Sequence, residues 1–254
     1  MEYALGAAFF YAWSVTCARR SSAHHGPDLA NLGRLLIAAV FVGLFVAFSD
    51  RHPFCAGWGW LILGGVLGLG IGDIALFHAL PRIGVGVALG APAEGDPADR
   101  RTGVWLGVLS ALGQACGAVS TPLTVDACQR AGETIPDGFA QAFVRLLGGV
   151  PVVLLFLLWA SRKEGLFAKV RRPYASASAP WWMLMNGISG PALGVACYQW
   201  ALTQHPAALV LSVVALTPLI GLVMQWALEG QRPSWRLWLG GAIGIAGVIL
   251  LRRF

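Results

Sequence analysis

Charge is what this sequence has least of. Of its 254 residues only 12% are Asp, Glu, Lys or Arg, about half the roughly 25% that a soluble domain carries. With 57% hydrophobic residues and a mean hydropathy of +0.67, that scarcity excludes a water-exposed surface all round, a disordered chain and a coiled coil. Cysteine is sparse and odd in number, five with no Cys-x-x-Cys, which excludes a disulfide scaffold. Most of the five lie in or beside apolar runs, where a thiol is expected to act as a small hydrophobe. His24-His25 has no other ligand at metal spacing, so no metal is expected. No P-loop, dinucleotide fingerprint or His-Glu-x-x-His occurs, and no cofactor or catalytic residue is implied.

What is present is a series of apolar runs bounded by charge, Gly and Pro. They predict an all-α, polytopic integral membrane protein with spans at 3–18, 31–48, 57–79, 103–125, 138–160, 180–202, 206–228 and 235–251. Residues 83–92 are apolar but too short to cross, and are read as a re-entrant or interfacial stub beside eight spans. The opening Met1-Glu2-Tyr3 lacks a positive n-region and reads as the start of a first span. The net charge of +6 comes from basic residues between the runs, which points to topology rather than nucleic acid. One face collects Arg19, Arg20, Arg82, Arg100, Arg101, Arg162, Lys163, Lys169, Arg171, Arg172, Arg232 and Arg236. The other has Arg51, Arg130, Arg252 and Arg253. The count makes the first face cytoplasmic and puts both ends of the chain outside.

Glycines recur at four-residue spacing: Gly64, Gly68 and Gly72, then Gly113 and Gly117, Gly190 and Gly194, and Gly240 and Gly244. Such ridges let helix backbones approach in lipid. The chain also repeats itself. Arg34-Leu35-Leu36 matches Arg145-Leu146-Leu147, and Gly72 precedes Ala79-Leu80 as Gly194 precedes Ala201-Leu202. Matches in the same order indicate a duplicated unit, 2–92 and 103–253, of the kind from which many transporters are built. The units are unequal, since the second continues through two more spans and the first does not.

The second unit carries Ala215-Leu216-Thr217-Pro218, Leu228-Glu229-Gly230, and Gly240-Gly241-Ala242-Ile243-Gly244-Ile245-Ala246-Gly247-Val248. These are similar to the proline-containing fourth helix, the "LGE"-like turn and the glycine-rich fifth helix of the EamA family in the drug/metabolite transporter superfamily. The order Glu-Gly replaces Gly-Glu here, and the acidic turn is kept. The resemblance implies two inverted repeats around a central cavity and transport of small metabolites. Ten helices are usual, so the first repeat looks truncated by a hairpin. The family is more often drawn with both termini inside, against the charge count.

Ionisable groups inside a span are costly and are candidates for function. Arg34 and Asp73 lie at similar depth and either pair or serve separately, Arg34 snorkelling and Asp73 taking interfacial water. Arg145 lies deeper and is either a cavity cation for anionic or zwitterionic metabolites or a clamp on backbone carbonyls. Trp13, Gln114, Asn186, Tyr198 and Gln199 complete the substrate-cavity candidates, although Trp and Tyr also populate the membrane interface. Pro151, Pro191 and Pro218 interrupt helices and are either hinges or repaired kinks. The expected function is a secondary transporter (a permease or exporter) of small metabolites, working by alternating access in a cell membrane, the bacterial inner membrane. The alternatives are an incomplete or inactive paralogue acting only in an oligomer and, less favoured, a membrane-embedded enzyme. Expected partners are the lipid bilayer and a small-molecule substrate, with a homodimer left open and no nucleic acid.

Overall fold

The computed structural model describes residues 1–49, 52–87, 97–162, 178–230 and 235–251. The described residues are predominantly helical, with no strand among them. Helix α1, Glu2–His25, ends at Gly26, whose φ of 77° lets the chain turn sharply. Pro27 then starts α2, Pro27–Ala47, at a position where its missing N–H costs nothing. Helix α3 is continuous but changes pitch: Trp58–Gly64, a π-helical segment Gly65–Gly72, then Asp73–Val87. Helix α4 is Pro97–Ala131. Helix α5, Gly138–Ala160, is capped by the Asp137 carboxylate, which accepts from Phe139 N at 2.8 Å and Ala140 N at 3.1 Å. Helix α6 repeats the build of α3: Ala179–Gly187, a π-helical segment Ile188–Gly194, then Val195–Gln204. Helices α7, Ala207–Val214, and α8, Thr217–Glu229, are halves of one crossing, and α9 is Trp235–Leu251.

Five helices, at Pro27–Ala47, Trp58–Arg82, Ala98–Ala131, Gly138–Ala160 and Ala207–Leu228, are long and apolar enough to cross a membrane. Helix α1 falls short in hydropathy because Glu2, Arg19 and Arg20 lie at its ends, and α6 because it carries the buried Asn186, Ser189 and Gln199. Helix α9, 17 residues, is short. Several expected bounds change. Helix α1 runs to His25, α2 begins at Pro27 and α4 at Pro97, because bilayer thickness sets the length of the apolar run and not of the helix. The 206–228 span breaks at Ala215 and Leu216, with Pro218 in the first turn of the new helix. The stub at 83–92 is corrected in part: residues 83–87 continue α3 as helix, and 88–92 lie outside the described residues. Only nine residues separate Val87 from Pro97, too few for a membrane-spanning hairpin.

Side-chain contacts fix the directions. Gly57 faces Thr124 while Gly68 faces Gly113, so α3 and α4 are antiparallel. Gly194 faces Tyr11 and Gly190 faces Ser14, so α1 and α6 are antiparallel too. Gly43 meets Phe143 and Phe45 meets Phe139, which makes α2 antiparallel to α5. Gly65 meets Arg145 and Gly70 meets Val152, so α3 runs parallel to α5; Gly33 with Met183 and Gly187 with Ile37 make α2 parallel to α6. It follows that α1–α3 and α4–α6 run in opposite senses.

The same contacts recur between the two sets. A Cβ at Gly65 would strike the Arg145 carbonyl, coming 2.8 Å from its carbon, and a Cβ at Gly187 would come 2.8 Å from the Arg34 carbonyl oxygen. One step further along, Gly68 lies against Arg145 Nη2 and Gly190 against Arg34 Nη1. Each π-helical segment therefore packs its glycines on the arginine-bearing helix of the other unit. Van der Waals contact of this kind holds helices together where the hydrophobic effect does not act between them. Gly240 departs from the expected ridge: nothing lies within 4 Å of a Cβ there, because no described helix covers that side of α9. Gly244 is helical, and its surroundings fall outside the described residues.

Cys55 and Cys128 form a disulfide, so these two do not act as the small apolar thiols expected of most of the five. It staples the start of α3 to the end of α4, with 5.9 Å between Cα atoms. Sequence spacing hid this pair, because the two residues are 73 positions apart and meet only once the helices run antiparallel. That end of the bundle also holds the start of α1, where the Met1 amine lies 2.9 Å from His205 Nε2. The opposite end holds the Arg82–Asp99 pair at 3.0 Å and the His78–Asp28 pair at 2.8 Å.

Candidate functional site

The buried charged residues among those described are Arg34, Asp73 and Arg145. Arg34 lies seven residues into α2 and Arg145 seven into α5, so on antiparallel helices they sit about 10 Å in from opposite faces. The Arg34 side chain is buried in the bundle and paired with Asp73, which rules out snorkelling as its main business.

Arg34 and Asp73 form an ion pair through Nη2 and Oδ2. Arg34 Nε donates to Asn31 Oδ1 at 3.1 Å, and its guanidinium carbon sits 4.7 Å from the Phe77 ring centroid. The second Asp73 oxygen accepts from Gln114 Nε2 at 3.0 Å, and the same nitrogen lies 3.3 Å from the Gly68 carbonyl oxygen. One face of the guanidinium and both carboxylate oxygens are thereby occupied. Asp73 opens the α-helical part of α3 directly after the π-helical segment. Such segments widen the helix and displace the side chains that follow them.

Arg145 is 2% exposed. Its Nη1 donates to Gln199 Oε1 at 2.9 Å and its Nη2 to the Gly64 carbonyl at 3.3 Å, while Nε is buried with no partner. The carbonyl bond supplies part of the expected clamp, and the orphaned Nε shows that clamping does not use up the guanidinium. Gln199 also accepts from Thr121 at 3.1 Å and donates to Gln141 at 3.4 Å; Gln141 in turn donates to the Pro136 carbonyl at 2.7 Å. Tyr11 and Tyr198 meet edge to face at 6.1 Å between centroids, and both phenols lie within electrostatic range of Arg145.

Arg34, Asp73, Arg145, Gln114, Tyr198 and Gln199 are thus gathered where α1–α6 meet. Asn186 stands beside Arg34, its Oδ1 accepting from Ser14 at 2.7 Å and its Nδ2 buried without a partner. Trp13 is half-buried on α1 and makes none of the cluster's hydrogen bonds. Gly64, Gly68 and Gly72 bring the α3 backbone against α4 and Arg145, and Pro191 lies inside the second π-helical segment. Sequence reasoning missed Tyr11, Ser14, Thr121 and Gln141. A glutamine within an apolar span was a usable signal for Gln141, whereas small hydroxyls in helices carry almost none. Among the described residues no group of His, Cys, Asp and Glu could hold a metal ion.

The comparisons with known proteins agree with this architecture. A family model described as EamA-like transporter family matches residues 2–89 and 103–253. No curated protein matches the chain. The two matched segments start on α1 and α4, the first helices of the two oppositely running sets. The chain belongs to the EamA-like transporter family of the drug/metabolite transporter superfamily, and is a multi-pass membrane transporter.

Proposed function

We propose that the chain is a secondary transporter that moves a small metabolite by alternating access, with its site in the cluster around Arg145. The observation that carries this reading is a buried guanidinium with an unpartnered Nε at the meeting of two oppositely running units. A charge in the bilayer interior costs at least about 2.5–3.5 kcal/mol on insertion scales, so it is kept there for work. Arg145, Gln199, Tyr198, Tyr11 and Gln114 are the residues that would meet the substrate. The Arg34–Asp73 pair closes the opposite side. The π-helical segments and the break before Pro218 supply places where helices bend without losing their packing.

The orientation has two supports. Among the described residues the basic side chains concentrate at the end opposite Met1, and the Cys55–Cys128 disulfide lies at the Met1 end. Disulfides persist in oxidising compartments. Both favour a bundle whose α1 starts on the non-cytoplasmic side.

A test is accessibility of the site from either face. A single cysteine replacing Gln114, in a chain whose free cysteines are replaced, should react with an impermeant maleimide from both sides of sealed vesicles. Reaction from one side only, under every gradient and substrate tried, would end the alternating-access reading.

A further inference from the structure

The two units are not chemically equivalent, and the difference falls on the two arginines. Gly65, Gly68 and Gly72 of α3 stand 122 positions before Gly187, Gly190 and Gly194 of α6, and the contacts of Gly65 and Gly68 with Arg145 correspond to those of Gly187 and Gly190 with Arg34. The same offset carries Asp73 onto Val195 and Phe77 onto Gln199. The structure agrees with it twice, since Asp73 and Val195 each begin the α-helical part after a π-helical segment. Phe77 stacks on Arg34 as Gln199 bonds Arg145, one turn further along in both cases. At the position that corresponds to Asp73 the second unit has Val195, 4% exposed in the apolar core, so that position offers Arg145 no carboxylate.

We infer that a carboxylate of the substrate plays for Arg145 the part that Asp73 plays for Arg34, and that the substrate is a monoanionic carboxylate rather than a zwitterion or a cation. This rests on the transporter reading above and narrows it to a substrate class. The described buried charges are two arginines and one aspartate, so the cluster holds one uncompensated positive charge. Of the five N–H donors of a guanidinium, two have partners on Arg145, and both are neutral oxygens. The unpartnered Nε belongs to one of the guanidinium edges that match a carboxylate with two parallel bonds. The Tyr11 and Tyr198 phenols stand within electrostatic range of the same guanidinium. A cation would meet like charge, and the ammonium of a zwitterion would need a free carboxylate. Asp73, the buried acid among the described residues, is already held by Arg34 and Gln114.

The test pairs binding with transport on the purified full chain. Phenylacetate, hexanoate and lactate are each compared with the matching carboxamide, with phenylalanine and with phenethylamine, by quenching of tryptophan fluorescence in detergent and by uptake into liposomes. The expected result is that at least one carboxylate binds at least tenfold more tightly than its amide, and that Arg145→Gln removes the difference. Val195→Asp places a carboxylate one turn from Gln199 and is expected to abolish carboxylate binding while the melting temperature holds or rises. That variant keeps the inference testable if Arg145→Gln fails to fold. Equal binding of acid and amide, undiminished binding by Val195→Asp, or no carboxylate binding at all would overturn it. Uptake of neutral or cationic compounds with carboxylates inert would overturn the inference and leave the transporter reading standing. Carboxylate binding lost in Val195→Asp, with no movement of any compound, would do the reverse.

Discussion

Arg34 donates to the carboxylate of Asp73 across the contact between α2 and α3, with both side chains buried in the bundle. Breaking such a pair from one side strands a charge, at a cost of about 3–5 kcal/mol. Asp73→Asn is therefore expected to lower the melting temperature in detergent sharply. The double replacement Arg34→Met with Asp73→Leu removes both charges and should recover much of the loss. Equal destabilisation by the single and double variants would show that the pair does not act as a unit.

The glycine contacts make a second prediction, on packing. Gly65→Ala and Gly187→Ala each drive a methyl group into a backbone carbonyl of the other unit, where no side chain can move aside. Overpacking costs about 1–3 kcal/mol, against the roughly 1 kcal/mol that Ala gains over Gly in a helix. At these two sites the clash should win, and both variants should unfold at lower temperature. Gly240→Ala meets nothing within 4 Å and should be neutral or stabilising by up to about 1 kcal/mol. Thermal unfolding of the three variants side by side checks the contrast.

Compartment is the third. The proposed orientation, α1 starting outside, puts Cys55 and Cys128 on an oxidising side, where they should be bonded in the membrane. An impermeant maleimide added to intact cells should label both only after mild reduction. Labelling that requires cell lysis would invert the orientation. Replacing both cysteines by Ser should cost about 2–4 kcal/mol, since the bond links positions 73 apart.

The sequence made the fold class legible because bilayer thickness imposes a length on every apolar run, and that length survives without any tertiary knowledge. It was silent where chain direction decides contact. Cys55 meets Cys128, and Tyr11 meets Tyr198, only because α3 lies antiparallel to α4 and α1 to α6. Helix bounds slipped because the bilayer fixes the apolar run, which begins at 31, whereas Pro27 starts the helix a turn earlier. The pairing of Arg34 with Asp73 was visible as equal depth, yet nothing in a single sequence says which faces α2 and α3 turn to each other. The repeat was legible in Arg-Leu-Leu and in the glycines. Its chemical asymmetry at Asp73 and Val195 needed the two π-helical segments to set the alignment.

The chain's own numbers bear on α4 as well. Only about a fifth of its membrane-length window is buried inside the bundle, while α1, its counterpart, is packed by α8 of the second unit. If that bare face meets lipid, cross-linking from a cysteine replacing Leu112, which is 59% exposed, should give no dimer in a bilayer. Efficient dimer formation there would favour the oligomer-dependent reading of the function.

Solute uptake into liposomes, with the wild-type chain, Arg145→Gln and Val195→Asp reconstituted at equal density, tests the central claim most directly. The account predicts uptake of at least one small metabolite by the wild type, changed by an imposed pH or sodium gradient and reduced at least tenfold in both variants. Folded wild-type protein that moves nothing across the panel, or variants that match it, would contradict the account.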